Sequence, residues 1–411
     1  MKRIWVGLFA LAAISGLALI VATRIRHKPK VESDIESIHA MGIPITREEF
    51  TRLAPTEGSD AWPLYESYID KLTALSPAQR TAFDSLAGFG FPGTPYAIQV
   101  QQAQTLRELV KPLAMASSMP RTTFPSHDAS DVLAWEAVYL LPHMAVADAE
   151  TGNTEECLRE LRTTGGILRQ LGLIPTCVSE LQSDGLLDGY AKATFARQKD
   201  SKFLEQVIRD VQALAPPMNV RWHVAEGFLE VLEQYRSPRF YSGRPRSKAA
   251  ELAEQIMRSP AAKRDAVAEI EIWRIAFAHL PASNQDWEGA QTALRQAYAK
   301  VHPEAPAPTW AKNKATILAS ADLLDHYGND IAMRRMIITS ARLLLERNKT
   351  GSFPTALASG AESTDPFSGE PFLYKPNKTG FVLYSIGSNR VDDGGTGNFF
   401  GAVRGDIVLS Y

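Results

Sequence analysis

Apolar residues recur at three- and four-residue steps through most of this 411-residue chain. Leu64, Tyr68 and Leu72 show this spacing early in the sequence, and Leu158 and Leu161 show it again later. The spacing places side chains on one face of an α-helix, where they can be buried. Strict alternation of apolar and polar positions does not occur before about residue 370. The pattern predicts a mainly α fold, with an α-helical body over residues 46–330.

Capping residues and turns mark the boundaries of helices within this body. Thr46 and Glu49 have the spacing of a capping box, and Ser76 precedes a proline at the first position of a helix. Residues 145–171 resemble one helix–turn–helix junction of a tetratricopeptide (TPR) repeat, but the ~34-residue signature of that repeat does not recur at a fixed period. We therefore expect αα-hairpins packed as an irregular, TPR-like array.

The pattern changes near the end of the chain. A helix from about Ile331 to Arg347 is followed by a strand that begins near Phe372, by alternating residues 381–386, and by a last strand over residues 406–410. One face of the helix can cover one face of such a sheet. Residues 331–411 are therefore predicted to form a small α+β module with an antiparallel sheet.

The first residues of the chain have the composition of a membrane span. Residues 4–22 carry no charge and would extend about 28 Å as a helix, close to the hydrocarbon thickness of a bilayer. We expect a membrane anchor at residues 1–27 and a stalk at residues 28–45. A cleaved signal peptide is the alternative, because Lys2 and Arg3 precede the apolar stretch. The residues expected to contact lipid are Ile4, Trp5, Leu8, Leu11, Leu17 and Ile20.

Net charge bears on nucleic acid as a partner, and the positions of the two cysteines bear on a disulfide. The formal net charge is −2, and this balance gives no electrostatic reason to expect nucleic acid as a partner. Cys157 and Cys177 each begin an apolar-periodic stretch, and antiparallel helices would hold them too far apart for a disulfide. We expect two small buried residues, with a disulfide as the alternative.

The end of the chain resembles a known family. The turn Gly351-Ser352-Phe353-Pro354 is followed by Asp365-Pro366-Phe367, by Leu383-Tyr384-Ser385-Ile386-Gly387 and by Asp406-Ile407. This order is similar to the C-terminal region of the major pseudopilins of bacterial type II secretion. The chain lacks their prepilin start, so it is not expected to be an ordinary pseudopilin subunit. The resemblance implies a bacterial envelope protein with a periplasmic or otherwise extracytoplasmic body. Together with the predicted anchor, it leads us to expect a single-pass protein of the cytoplasmic (inner) membrane.

The same resemblance implies a calcium site. In major pseudopilins the loop before the closing Asp-Ile pair binds calcium through carboxylates and backbone carbonyls. Candidate ligands here are the side chains of Asn389, Asp392, Asp393 and Asp406, with the carbonyls of Leu383 and Ser388. The alternative is that these residues form Asp-Gly turns and that Asp406 accepts hydrogen bonds from backbone amides. Apart from this candidate calcium, no cofactor is expected.

Four short motifs in the body support a second resemblance: Ser118-Met119-Pro120-Arg121, Leu141-Pro142-His143, Gly152-Asn153 and Ser179-Glu180-Leu181. Their order is similar to that in uncharacterised membrane proteins abundant in planctomycetes. That group has no assigned activity. The resemblance therefore supports the architecture and not a reaction.

Signatures of catalysis were not found. The sequence contains no G-x-S-x-G, H-E-x-x-H, P-loop or G-x-G-x-x-G motif. Glu180, Asp184 and Asp188 are spaced to share one helix face, where solvent or cationic partners are the expected explanation. We expect a non-catalytic envelope protein that binds protein partners and is associated with a type II secretion or pilus-like system. The alternative is an envelope carboxylate-based hydrolase with its site in the helical body.

Overall fold

A computed structural model gives the fold of the chain. It describes residues 30–53, 57–87, 96–123, 140–172, 183–215, 219–236, 267, 269–283, 285–301, 316–397 and 405–411. The fold is mainly helical and ends in a small three-stranded antiparallel sheet, which confirms the predicted fold class at this level.

The described residues form thirteen α-helices in chain order, α1 to α13. Residues 30–40 form α1, residues 140–151 belong to α6 and residues 269–279 belong to α11. The other helices are α2 (Arg47–Thr51), α3 (Trp62–Thr73), α4 (Pro77–Ala87), α5 (Tyr96–Ser117), α7 (Thr154–Gly172), α8 (Ser183–Ala196), α9 (Ser201–Ala213), α10 (Val220–Arg236), α12 (Trp287–Val301) and α13 (Thr316–Thr350).

The predicted caps are present. The Glu49 N–H donates to Thr46 Oγ1 over 3.1 Å at the start of α2. At the start of α4, the Gln79 N–H donates to Ser76 Oγ and the Ser76 N–H donates to Gln79 Oε1, over 3.3 and 3.1 Å. Each of these hydrogen bonds satisfies a backbone N–H that has no acceptor within its own helix.

No helix in the described part of the chain is long and apolar enough to cross a membrane. The predicted anchor, with Ile4, Trp5, Leu8, Leu11, Leu17 and Ile20, lies before residue 30 and so outside the described residues. Anchoring therefore stays a prediction.

The chain divides into two compact units. The first consists of Met1–Phe50 and Arg221–Ala321, and the second of Thr51–Val220 and Asp322–Tyr411. In the described part of the first unit, the rings of Phe228, Trp273 and Phe277 pack with centroids 5.5–6.1 Å apart. An ion pair of 2.8 Å between Arg274 and Asp34 joins α11 to α1.

In the second unit, α3, α4, α5, α6 and α7 enclose one apolar core, which includes Tyr65, Leu106, Leu113, Met144 and Ile167. A smaller cluster contains Leu204 of α9 with Ala341 and Leu344 of α13. The rings of Phe195, Phe353 and Tyr411 pack against that cluster. The sheet is thus fixed to helices of the body as well as to the helix that precedes it.

The sheet has the order β1-β2-β3, with β1 at Leu373–Pro376, β2 at Phe381–Ser385 and β3 at Ile407–Ser410. The central residue Leu383 pairs with Tyr374 on one side and with Leu409 on the other. The three strands lie where the alternation predicted them, to within a residue or two. The preceding helix α13 is longer than predicted, because buried Ile317, Ala321 and Leu324 continue its apolar face before residue 331.

Candidate functional site

A buried carboxylate holds the C-terminal sheet together. Asp365 is 2% exposed and lies in the turn before β1. Its Oδ1 accepts hydrogen bonds from the Phe367 N–H over 3.0 Å and from the Ser385 hydroxyl over 2.8 Å, and its Oδ2 accepts the Ile386 N–H over 3.0 Å. The Asp-Pro-Phe turn is therefore tied directly to the end of β2.

The four side chains predicted as calcium ligands lie in one loop after β2, and each accepts a hydrogen bond. Asp406, which is buried, accepts the N–H of Asp393 over 3.2 Å on one oxygen and the N–H of Gly395 over 2.7 Å on the other. Asp392 accepts the Gly394 N–H over 2.8 Å. The Asn389 side-chain amide donates to Asp393 over 3.0 Å, and its oxygen accepts the Val391 N–H.

Calcium binds six to eight oxygen atoms, and calcium binding by this loop stays a prediction. The two oxygens of the Asp406 carboxylate each accept a hydrogen bond from a backbone N–H group. The Lys375 ammonium lies 3.3 Å from the Gly394 carbonyl oxygen and 4.9 Å from the Tyr384 ring centre. No group of three His, Cys, Asp or Glu side chains among the described residues is placed to hold a metal ion. The arrangement agrees with the alternative, in which Asp406 accepts amides and Asp392 forms a turn.

The loop closes against β3 at a glycine. Gly387 has φ +62°, and a Cβ added there would lie 1.9 Å from the Gly405 carbonyl oxygen. Both the left-handed backbone and the close approach exclude a side chain. The Gly387 in the Leu-Tyr-Ser-x-Gly motif is thus explained by backbone packing.

The Ser-Met-Pro-Arg motif of the body forms a joint between α5 and α3. Asp60 Oδ1 accepts the N–H groups of Trp62 and Thr123, both over 3.0 Å, and its Oδ2 lies 3.3 Å from Arg121 Nη1. Burial alone would raise the pKa of Asp60, but these donors and the Arg121 charge hold that pKa below its ordinary value. Arg121 also donates to the Gly58 carbonyl.

A buried polar network fixes the same joint to α7. The Tyr65 hydroxyl donates to Gln170 Oε1 over 2.5 Å, and Gln170 Nε2 donates to the carbonyls of Ala116 and Met119. Arg169 also donates to the Met119 carbonyl. The Ala116 carbonyl lies in the last turn of α5 and the Met119 carbonyl follows it, so neither has a partner within that helix. The motif residues thus complete a helix end and connect three helices.

The remaining body motifs also lie at packing contacts where they are described. A Cβ on Gly189 would lie 3.0 Å from Pro142 Cβ, so Pro142 packs closely against α8. Asn153 Nδ2 donates to Asp148 Oδ1 over 3.1 Å across the turn between α6 and α7. Ser179-Glu180-Leu181 lies outside the described residues.

Two of the three carboxylates predicted on one helix face, Asp184 and Asp188, are described, and both are half-buried. Burial, together with the charge of Asp330 on α13, raises the pKa of Asp184 to about 7. Asp330 is itself paired with Arg334. Burial also raises the pKa of Asp188, against the opposing charges of Lys192, 2.6 Å away, and His143. Asp188 thus has the expected cationic partner in Lys192, whereas Asp184 lies near the negative charge of Asp330. Glu180 lies outside the described residues.

A second acidic cluster was not found by sequence reasoning. Arg107 of α5 makes two contacts of 2.7 and 2.9 Å with Asp148 of α6 and lies 2.7 Å from Glu156 and 3.5 Å from Glu160 of α7. Cys157, between the two glutamates, is buried and forms no disulfide with any described residue. Only the four-residue spacing of Glu156 and Glu160 could have suggested a shared partner, and nothing local points to Arg107.

The comparisons with known proteins add no assignment. No protein-family model, no curated protein and no solved structure matches the chain. The resemblance of its end to major pseudopilins therefore stays a prediction from the sequence.

Proposed function

We propose that the chain is a single-pass envelope protein whose helical body and C-terminal sheet bind other proteins, in association with a type II secretion or pilus-like system. The anchor at residues 1–27 would hold it in the cytoplasmic membrane, with the body on the extracytoplasmic side. Its role is non-catalytic. Membrane lipid and envelope proteins are the proposed partners, and nucleic acid is not one of them.

The observation that supports this proposal best is the construction of the C-terminal sheet. The turn at Asp365, the strand Phe381–Ser385 and the closing Asp406 follow the order of the pseudopilin-like region, and each carboxylate is used to fix a backbone segment. The body motifs likewise complete helix ends. Because these polar side chains hold backbone segments in place, we infer a rigid scaffold that presents surfaces to other proteins.

An exposed apolar residue gives this proposal a specific probe. Val391 lies in the loop between β2 and β3 and is 54% exposed, while Met115 on α5 is 57% exposed. If the sheet end binds a partner, Val391→Glu should reduce that binding through the cost of burying a charge, and Met115→Glu should leave it unchanged. The matched exposure makes the second variant a control for a change in surface charge alone.

The experiment is affinity purification of the full chain from detergent-solubilised native membranes, followed by mass spectrometry, with protease treatment of spheroplasts. Recovery of secretion-system subunits by wild type and by Met115→Glu, with loss in Val391→Glu and cleavage of the body from outside, is the expected result. A body protected inside the spheroplast would refute the proposed location. Equal recovery with all three proteins would refute the role of the sheet end.

A carboxylate-based hydrolase is the second candidate, favoured by one observation. A carboxyl group with a pKa near 7, as at Asp184, suits general acid or base chemistry at neutral pH. The test is a screen of chromogenic esters, glycosides and phosphoesters with wild type and Asp184→Asn. Turnover that Asp184→Asn abolishes, with unchanged folding by circular dichroism, would establish this candidate. Absence of turnover on all three classes would count against it.

A further inference from the structure

The cluster around Arg107 contains more negative than positive charge. Its guanidinium faces Asp148 at 2.7 Å, Glu156 at 2.7 Å and Glu160 at 3.5 Å. Arg159 is a second cation, and it pairs with Glu156 at the solvent side. If all three acids were ionised, Arg107 alone would have to balance Asp148 and Glu160 in the interior.

Burial makes that imbalance costly. The side chains of Asp148 and Glu160 are 1% and 4% exposed, whereas that of Glu156 is 32% exposed. Asp148 has good partners, since it accepts two contacts from Arg107 and one from Asn153. Among the described residues, the one donor to the Glu160 side chain is Arg107, over 3.5 Å, and Glu160 Oε2 accepts no hydrogen bond. An ionised, unpaired carboxylate oxygen in the interior is strongly unfavourable.

We propose that Glu160 holds a proton at neutral pH, and that this proton keeps α5, α6 and α7 locked together, so that the helical body loosens as the pH rises. A protonated Glu160 can donate a hydrogen bond to Asp148. Asp148 then keeps its negative charge for Arg107, and the interior charges balance as one anion and one cation.

The electrostatic environment supports the same assignment. Burial is the largest cause that raises the pKa of Glu160 well above its ordinary value of 4.5, and the negative charge of Asp148 adds to it. Arg107 and Arg159 oppose this rise. Cys157 faces the same interior with Arg197 near it, and burial raises the pKa of this thiol too, so it stays neutral.

The direction of the pH effect follows from linkage. Glu160 binds its proton more tightly in the folded than in the unfolded chain, so the stability that it contributes is complete below pH 4.5. That stability is lost as the pH rises through the folded-state pKa. The contribution of Glu160 to the joint between the three helices is therefore largest in acid and smallest in alkali.

The test compares Glu160→Gln with the matched control Glu156→Gln, both in the full chain in detergent. Glutamine keeps the shape and the donor of a protonated glutamate but cannot ionise. Between pH 5 and pH 9 the Tm of wild type and of Glu156→Gln should fall. The Tm of Glu160→Gln should fall as well, but the decrease should be smaller than that of wild type by roughly 2–4 °C or more. Equal pH dependence in Glu160→Gln and wild type would overturn the proposal.

A second measurement does not require the variant to fold. In the infrared spectrum of wild type at pH 7, a protonated carboxylic acid gives a carbonyl stretch that ionised carboxylates lack. Asp184, whose pKa is about 7, also gives this band, so we expect the band to persist in Asp184→Asn and in Asp184→Asn combined with Glu156→Gln. A wild-type spectrum without a protonated carboxyl band at pH 7 would overturn the proposal independently of stability.

Discussion

Replacing Asp365 by alanine is a direct test of how the C-terminal sheet is built. The substitution removes a buried carboxylate that accepts the Phe367 N–H, the Ser385 hydroxyl and the Ile386 N–H at 2.8–3.0 Å. The first of these donors lies in the turn, and the other two lie at the end of β2. Without the carboxylate, the turn loses its attachment to the end of the strand.

The expected magnitude follows from these three contacts. A hydrogen bond to a charged group contributes about 1.5–3 kcal/mol, and a buried donor left without a partner costs about 1–3 kcal/mol. The contacts share one carboxylate and do not add fully, so we expect Asp365→Ala to lower the free energy of unfolding of the sheet by about 3–5 kcal/mol. Asp365→Asn keeps an acceptor oxygen, and about half that loss is expected.

Hydrogen–deuterium exchange of the full chain, followed by mass spectrometry, measures the loss of stability in the sheet peptide by peptide. In Asp365→Ala, peptides from β2 and from the turn should exchange at least ~100-fold faster, because each 1.4 kcal/mol corresponds to about a factor of ten. Peptides from α5 and α7 should be unchanged. Asp392→Ala is the control, since Asp392 is exposed and, among the described residues, accepts a hydrogen bond from the Gly394 N–H alone. Equal protection of β2 in wild type and Asp365→Ala would refute the reasoning.

Three further predictions concern the second unit. Gly166→Ala places a Cβ 2.5 Å from the Ser117 carbonyl oxygen, and urea denaturation should show a loss of about 1–3 kcal/mol; an unchanged midpoint would contradict this close packing. Asp184→Asn removes a carboxyl group with a pKa of about 7 that destabilises the fold once it is ionised. In calorimetry, the Tm of Asp184→Asn should equal that of wild type at about pH 3 and exceed it at about pH 8; a higher Tm for wild type at pH 8 would contradict this. Tyr411→Ala removes a ring 5.8 Å from that of Phe381 and should cost about 2–4 kcal/mol in the same urea titration, whereas a loss below about 1 kcal/mol would show that this ring is not part of the core.

Local pattern was enough to predict the elements. The three-to-four spacing of residues such as Leu64 and Tyr68 identifies helices because it requires only that one face be buried. The caps at Thr46 and Ser76 and the alternation after Gly380 depend on neighbours within a few positions. For the same reason the strand positions were right to within a residue or two.

The roles of buried polar groups could not be predicted in this way. Arg107 meets Asp148 and Glu160 across 41 and 53 positions of sequence, and Asp365 reaches Ile386 across 21. Such contacts exist only after the helices and strands have packed. For Asp406, sequence reasoning allowed either a calcium ligand or an amide acceptor, and only the position of the Asp393 and Gly395 N–H groups favours the second.

Site-specific photo-crosslinking in living cells tests the central claim, that the sheet end binds an envelope partner, most directly. A photoreactive amino acid would replace Val391 in one full-length protein and Met115 in the other, because the two side chains are about equally exposed at 54% and 57%. The account predicts that position 391 crosslinks to a secretion or pilus-like subunit, while position 115 does not. Crosslinks from position 391 to cytoplasmic proteins only, or the same products from both positions, would contradict it.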